Sequence, residues 1–132
     1  MKSLTPVLLT VAVMTMSIRA EDIKGPPQVV RNVLEKHDQS GVPNKEIVIG
    51  SANFPPGSSI GFHTHAGDES GYVTKGSIIL KSQGQSDRLV VAGESFFNAR
   101  GAVHSVMAGS EGASVVSTWI VDKGVPLATP VP

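Results

Sequence analysis

The sequence contains no cysteine, which excludes disulfides, thiolate zinc sites and a thiol nucleophile. It also has no excess of charge of either sign, because 11 Lys and Arg residues balance 11 Asp and Glu residues. These charges form neither a basic run nor an acidic tail, so nucleic acid is not an expected partner. The sequence also shows no paired carboxylates, no Ser-His-Asp arrangement and no phosphate-binding loop. None of these common catalytic patterns therefore suggests a function.

Long apolar segments with helical periodicity are scarce, whereas 14 glycines and 9 prolines indicate many turns. Such a composition favours short strands joined by tight connections, in a sandwich or a barrel. The length of 132 residues suits one domain, and an apolar fraction of 40% is typical of a soluble globular protein. The sequence therefore predicts a single all-β domain.

The first twenty residues have the layout of a secretory signal peptide. Lys2 gives a positive start, Leu4 to Ile18 is mostly apolar, and Ala20 ends the segment with a small side chain. The apolar stretch is shorter than the roughly 20 residues that span a bilayer, although an uncleaved anchor is the alternative interpretation. We expect residues 1–20 to be removed, leaving a periplasmic or secreted protein without a membrane attachment.

The remaining chain divides into a leader with a first strand (residues 21–44), a β-rich body (45–122) and a Pro-rich extended tail (123–132) that lies on the surface or on a partner. Within the leader, Gln28 to Glu35 fits a strand or a short helix. Both faces of Ala113 to Asp122 are largely apolar, which predicts a strand buried on both sides. The other predicted strands are Lys45 to Phe54, Ile60 to His65, Gly71 to Lys75, Ser77 to Lys81, Arg88 to Ala92, Ser95 to Asn98 and Val103 to Met107.

Three of the four histidines fall into one arrangement with a glutamate. His63 and His65 are two residues apart on a predicted strand, so their side chains project from the same face. Glu69 follows after a short turn, and His104 lies on a later strand that an antiparallel barrel can place beside the pair. Three imidazoles and one carboxylate would suit iron, manganese, nickel, copper or zinc, and would leave coordination positions open. The alternative is a chance surface His pair and a structural His104.

The glycines around these residues favour the metal site. Gly57, His63, His65, Glu69 and Gly76 follow one another at the spacings of the first cupin motif, which this stretch resembles. The stretch from Gly93 through Gly101 to His104 is similar to the second cupin motif. Two positions depart from the family pattern, Ala99 where proline is usual and Ala108 where asparagine is frequent. These departures affect the loop shape and the pocket lining rather than the ligands.

The resemblance implies a single cupin-type β-barrel, a double-stranded β-helix or jelly roll, over residues 45–122. It also implies one divalent transition metal ion, with iron or manganese favoured and zinc, nickel or copper as alternatives. Small exported bacterial cupins are similar over a wider part of the chain, and a homodimer is the family expectation. The expected ligands of the metal are His63, His65, Glu69 and His104.

Further residues near the motifs have two interpretations each. Tyr72 is a candidate catalytic acid or hydrogen-bond donor, against a packed strand aromatic. Arg100 is a candidate contact for an anionic substrate, against a solvated loop residue. His37 lies in a polar loop outside both motifs, so it is left out of the site. Four large apolar residues are candidates to line a cavity, with plain core as the alternative that is favoured for Phe97: Phe62, Phe97, Met107 and Trp119.

Three functions remain open at the level of the sequence. The first is an enzyme acting on a small oxygenated organic molecule through the open metal site, as a dioxygenase, isomerase or lyase. The second is an exported protein that binds a metal or a small ligand without turnover. The third is a structural protein with a disused site, which the retention of all four ligand residues argues against. The enzyme is slightly favoured, because a metal with open positions is suited to activating a substrate.

Overall fold

The computed structural model describes residues 25–132, and the predicted signal segment, residues 1–20, lies outside them. The described part of the chain is all-β, as predicted, and forms eight antiparallel strands. No helix long and apolar enough to cross a membrane occurs within residues 25–132. The strands are β1 (Val30–Asp38), β2 (Lys45–Phe54), β3 (Ser59–Thr64), β4 (Gly67–Ser82), β5 (Arg88–Val91), β6 (Ser95–Asn98), β7 (His104–Asp122) and β8 (Thr129–Pro130).

The two longest strands, β4 and β7, pair with each other on both sides of a bend. The sequence predicts two strands in place of each, separated at glycines, but the chain continues through Gly76 and Gly112 with shifts in register. Gly76 has a φ of 69°, and a Cβ there would lie 2.0 Å from the carbonyl oxygen of Gly112. Only glycine permits both this conformation and this approach, so the bend depends on it.

The bend divides the sheet into two halves that share β4 and β7. In the first half, β6 pairs with the beginning of β4, β2 pairs with the end of β7, and β1 is added outside β2. In the other half, β5 pairs with the end of β4, β3 pairs with the beginning of β7, and β8 is added outside β3. The hydrophobic core lies between the halves and draws on both: Phe54, Val73, Ile78, Leu80, Val90, Phe96, Val106, Ala108, Ala113 and Val115.

Strand β7 is buried on one face only, and the prediction that both faces are buried is wrong. Val115 and Val121 face inward and are almost fully buried, whereas Ile120 on the opposite face is 40% exposed. Phe97 is likewise exposed rather than part of the core, because β6 points its neighbour Phe96 inward. Among residues 25–132, no second layer covers the apolar side chains on the outer face of these strands.

Both ends of the described chain add edge strands. The segment that fits strand or helix equally well by sequence is strand β1, which pairs with β2 and has every residue exposed. At the other end, the Pro-rich tail lies along β3, where the backbone N–H of Val131 donates to the carbonyl of Phe62 at 2.9 Å. The tail is thus a further strand of the barrel.

Candidate metal centre

Three histidine side chains meet at the end of the barrel that lies away from the bend. His63 on β3 is paired with His104, the first residue of β7, and His65 follows directly after β3. All three are buried, and each offers a ring nitrogen within 4.8 Å of the other two. The structure therefore brings together the three histidines that the sequence singled out.

Glu69 reaches the same point from the other half of the sheet. It lies near the start of β4, opposite Trp119 near the end of β7. Its Oε2 atom is 3.3 Å from Nε2 of His65 and 3.3 Å from Nε2 of His104. The bend in β7 folds the sheet over. As a result His104 near the start of β7 and Trp119 near its end both lie at the cluster.

Backbone carbonyls fix the orientation of all three imidazoles. Nδ1 of His63 is 2.8 Å from the carbonyl oxygen of Gly61, and Nδ1 of His104 is 2.9 Å from that of Ala102. Nδ1 of His65 is 2.6 Å from the carbonyl oxygen of Leu127 in the tail. A carbonyl can only accept, so each Nδ1 carries a proton. In the neutral rings each Nε2 then has a free lone pair, which is the arrangement of metal-binding histidines.

The ionised carboxylate and the imidazole nitrogens of the cluster favour a positive charge at its centre. Burial raises the pKa of Glu69, but hydrogen bonds with His104, His65 and Asn98 outweigh burial and hold its pKa well below the usual range. Burial lowers the pKa of His65, whereas hydrogen bonds to Glu69 and to the Leu127 carbonyl raise it more, to above its ordinary value. An ionised carboxylate facing imidazole lone pairs is stable only with a proton or a metal ion between them. The donor set therefore fits a divalent cation.

Two contacts that support the ligands have no signal in the sequence. Nδ2 of Asn98 donates to Oε2 of Glu69 at 2.9 Å, and both residues are buried. The Leu127 carbonyl belongs to a tail that resembles a surface segment. A backbone carbonyl is the same for every residue type, and Asn98 sits in a strand of ordinary composition. Only the register of β6 against β4, which pairs Asn98 with Glu69, would have revealed the first contact.

Arg100 connects segments that lie next to the candidate ligands. Its Nη1 donates to the carbonyl of Ala66 at 2.7 Å, and its Nη2 donates to Asp122 at 2.6 Å. Its backbone N–H donates to Asp68. Arg100 thus links the loop before β7 to the turn between His65 and Glu69, and it is not among the residues that line the cavity. Its position indicates a structural role rather than contact with an anionic substrate.

The structure does not bring Tyr72 to the cluster. Side chains alternate along β4, so Glu69 and Gly71 point inward while Tyr72 points outward and is 48% exposed. Tyr72 therefore lies neither in the cavity nor in the core, which removes it as a candidate acid. His37 is exposed beside Glu35 and stays outside the site, as expected. Phe62 and Met107 are exposed on the outside of the barrel and do not line the cavity.

A cavity of about 320 Å³ adjoins the cluster. Its size lies at the lower end of the range for small-molecule sites. The ligand residues and Trp119 form its polar end, and Leu127 and Ala128 of the tail contribute to its wall. The core between the two halves of the sheet supplies most of the apolar lining, and Arg31, Asn32 and Val33 of strand β1 add a partly polar side to it.

The fold and the cluster define a small β-barrel protein with a candidate metal centre at one end. The sequence matches the family model of the cupin domain over residues 50–121, more than half of the chain, so this protein belongs to the cupin family. The fold and the family implied by the two motifs are thereby confirmed. No curated protein sequence matches the chain.

Solved structures with the same fold include several enzymes. The DMSP lyase DddQ from Ruegeria pomeroyi is similar with a TM-score of 0.66 and 16% identity, over 86% of this chain and 55% of that chain. This chain thus spans little more than half the length of the lyase. A cupin superfamily protein from Desulfitobacterium hafniense has a TM-score of 0.60 and 17% identity, over 76% of this chain and 84% of that one.

A third similar structure is that of an enzyme with Mn(II) centres. This enzyme, the oxalate decarboxylase of Bacillus subtilis, has a TM-score of 0.56 and 22% identity. The match covers 60% of this chain and 22% of that one. Identities this low establish a shared fold and leave the activity of this chain to be argued from its own site.

Proposed function

We propose that this protein binds one divalent transition metal ion through His63, His65, Glu69 and His104, and acts on a small oxygenated organic molecule held beside the ion. The observation that carries the proposal is the convergence of the Nε2 atoms and the Glu69 carboxylate at one buried point. Each histidine is already oriented by a carbonyl, so the side chains lose little conformational entropy when an ion binds.

The donor set suits iron or manganese best, with zinc, nickel or copper as alternatives. Three neutral nitrogens and one carboxylate oxygen form a mixed set that these ions accept, and an ion that prefers six ligands keeps two positions open. When bound, such an ion supplies a Lewis acid and a template for oxygen-bearing groups. The Mn(II) centres of the B. subtilis decarboxylase, a protein of the same fold, are consistent with manganese.

The residues of the chain would bind and orient the organic molecule. A bound cation would keep Glu69 ionised, and the amide of Asn98 donates to its Oε2, so Glu69 serves as a ligand rather than as a proton donor. The cavity walls exclude bulk water from the side of the cluster that faces the core. A dioxygenase is the favoured reaction type, and an isomerase or lyase is the second, since each uses an ion with open positions.

A second candidate function is binding without turnover. Apart from the four proposed ligands, Arg31 is the one titratable side chain among the described residues that line the cavity. Tyr72, the candidate acid, points outward. A site without a free acid or base favours retention of a metal or a small ligand over proton-transfer chemistry.

Analysis of protein purified without added metal tests the proposal. We expect about one equivalent of a transition metal per chain by elemental analysis, because the site is preformed. The metal-loaded protein is then incubated with catechol-like, flavonol and 2-oxo acid compounds while oxygen uptake and products are followed. Oxygen uptake supports a dioxygenase, and a product without oxygen uptake supports an isomerase or lyase. Metal and a copurifying ligand without any product would favour the binding protein, whereas absence of metal would refute the proposal.

We also propose that the protein is exported without residues 1–20 and forms a homodimer. Among residues 25–132, strand β1 pairs with β2 alone, and Val30, Val33 and Leu34 on it are more than half exposed. Such an edge is a template for pairing with another chain. Native mass spectrometry of protein from the periplasm or the medium should give twice the mass of a chain that starts at Glu21. A single-chain mass, or a chain that retains Met1, would contradict the respective part of this proposal.

A further inference from the structure

The indole N–H of Trp119 points at the metal-facing nitrogen of a proposed ligand. Nε1 of Trp119 is 3.3 Å from Nε2 of His65. The N–H can donate to this nitrogen only while its lone pair is free. When a cation takes the lone pair, the indole loses its acceptor and the N–H remains directed into the polar end of the cavity. An N–H beside the centre is then available to an oxygen atom of a bound molecule.

The orientation of the indole is set by its neighbours. Trp119 lies on β7 between Glu69 of β4 and Val48 of β2. Gly50 leaves the space that the ring occupies, because a Cβ there would be 2.9 Å from Cζ3 of Trp119. Its strand position and this close approach restrict the ring, so the direction of the N–H is defined before any molecule binds.

The opposite end of the cavity has a different chemistry. The floor, as we call this end, consists of apolar side chains from the core between the two halves of the sheet. Apart from the proposed ligands, the charged residue among the described residues that line the cavity is Arg31, which lies on the exposed edge strand β1 and not in the floor. Such a surface favours an apolar group and disfavours a charged one that would lose its hydration. The floor consists of Phe54, Ile60, Ile78, Phe96, Val106 and Val115.

We propose that Trp119 is a specificity-determining residue of the cavity, whose N–H binds an oxygen of the ligand beside His65 while the apolar floor receives the body of the ligand. The inference rests on the proposed metal site. It names the ligand class as a small molecule with an oxygen-bearing chelating head and a compact apolar body.

Two 2-hydroxy acids that share a head group test this assignment. Glycolate and mandelate are titrated into Mn(II)-loaded wild type and into the Trp119→Phe variant, with affinity measured by calorimetry. Mandelate should bind wild type at least about tenfold more tightly than glycolate, because its phenyl group is buried on the floor. Trp119→Phe should weaken both acids by roughly three- to tenfold, the effect of one hydrogen bond, with an unchanged manganese content.

Phe97→Leu is the matched control, since Phe97 is an exposed aromatic outside the cavity, and both affinities should equal those of wild type. Trp119 is the only tryptophan, so its emission in wild type should also change on addition of glycolate.

Equal affinities of the two acids for wild type would overturn the assignment of the floor. Loss of manganese in Trp119→Phe would overturn the assignment of Trp119, because the ring would then be positioning His65. A wild type that binds no manganese refutes the metal site itself, which separates that failure from the other two.

Discussion

Replacing His104 with alanine is expected to abolish metal binding. His104 is 1% exposed, pairs with His63 and lies 3.3 Å from Glu69, and the methyl group of alanine offers no atom that can bind the ion in its place. Loss of a ligand should reduce the affinity by more than the roughly 10- to 100-fold that follows loss of a residue supporting a ligand. Elemental analysis should show the equivalent of metal in wild type and only traces in the variant. Added Mn(II) should raise the unfolding temperature of wild type and leave that of the variant unchanged.

His37→Ala provides the matched control for this experiment. His37 is the one histidine outside the cluster, and its side chain is 71% exposed beside Glu35. The substitution removes the same imidazole from the surface, so metal content and the response to Mn(II) should equal those of wild type. A His104→Ala protein that folds and retains a full equivalent of metal would show that the ion binds elsewhere.

Gly76→Ala is expected to prevent stable folding. A side chain at a φ of 69° costs about 1–2 kcal/mol, and the added Cβ would lie 2.0 Å from the carbonyl oxygen of Gly112. Neither backbone can move without disturbing the pairing of β4 with β7, so the free energy of unfolding should fall by about 4 kcal/mol or more. Domains are stable by only about 5–15 kcal/mol. Urea unfolding followed by the fluorescence of Trp119 would measure the loss.

Gly84→Ala separates the steric part of this effect from the conformational part. Gly84 has a φ of 78°, close to that of Gly76, but nothing lies within 4 Å of a Cβ built on it. This variant should lose only about 1–2 kcal/mol, the cost of the left-handed conformation alone. Equal losses in the two variants would mean that the approach of Gly76 to Gly112 does not determine the bend.

The sequence was sufficient to place most of the strand segments and to choose the four proposed ligands, but it did not reveal the bend or the tail strand β8. Glycine is both a strand breaker and the residue that lets a strand bend, and composition does not distinguish these roles. The pattern around Gly76 therefore predicts two strands where β4 is one. The distinction depends on which backbone approaches the glycine, and that is Gly112, far away in sequence.

The residues around the ligands were less predictable than the ligands. The His and Glu spacing carries its own signal because few side chains can bind a transition metal. The carbonyl that orients His65 and the indole that faces it are set by tertiary contacts between distant segments. Tyr72 illustrates the same difficulty, since its distance from Glu69 in sequence suggests proximity, but the alternation of side chains along β4 places it on the opposite face.

The contact between His65 and the carbonyl of Leu127 has a consequence for the order of events during protein synthesis. A ribosome reaches Leu127 long after it has added His65, so this imidazole lacks its orienting partner while most of the chain is being made. A metal ion that meets the unfinished polypeptide encounters side chains without fixed rotamers. We therefore expect the proposed site to bind its ion only after translation, once the tail has paired with β3.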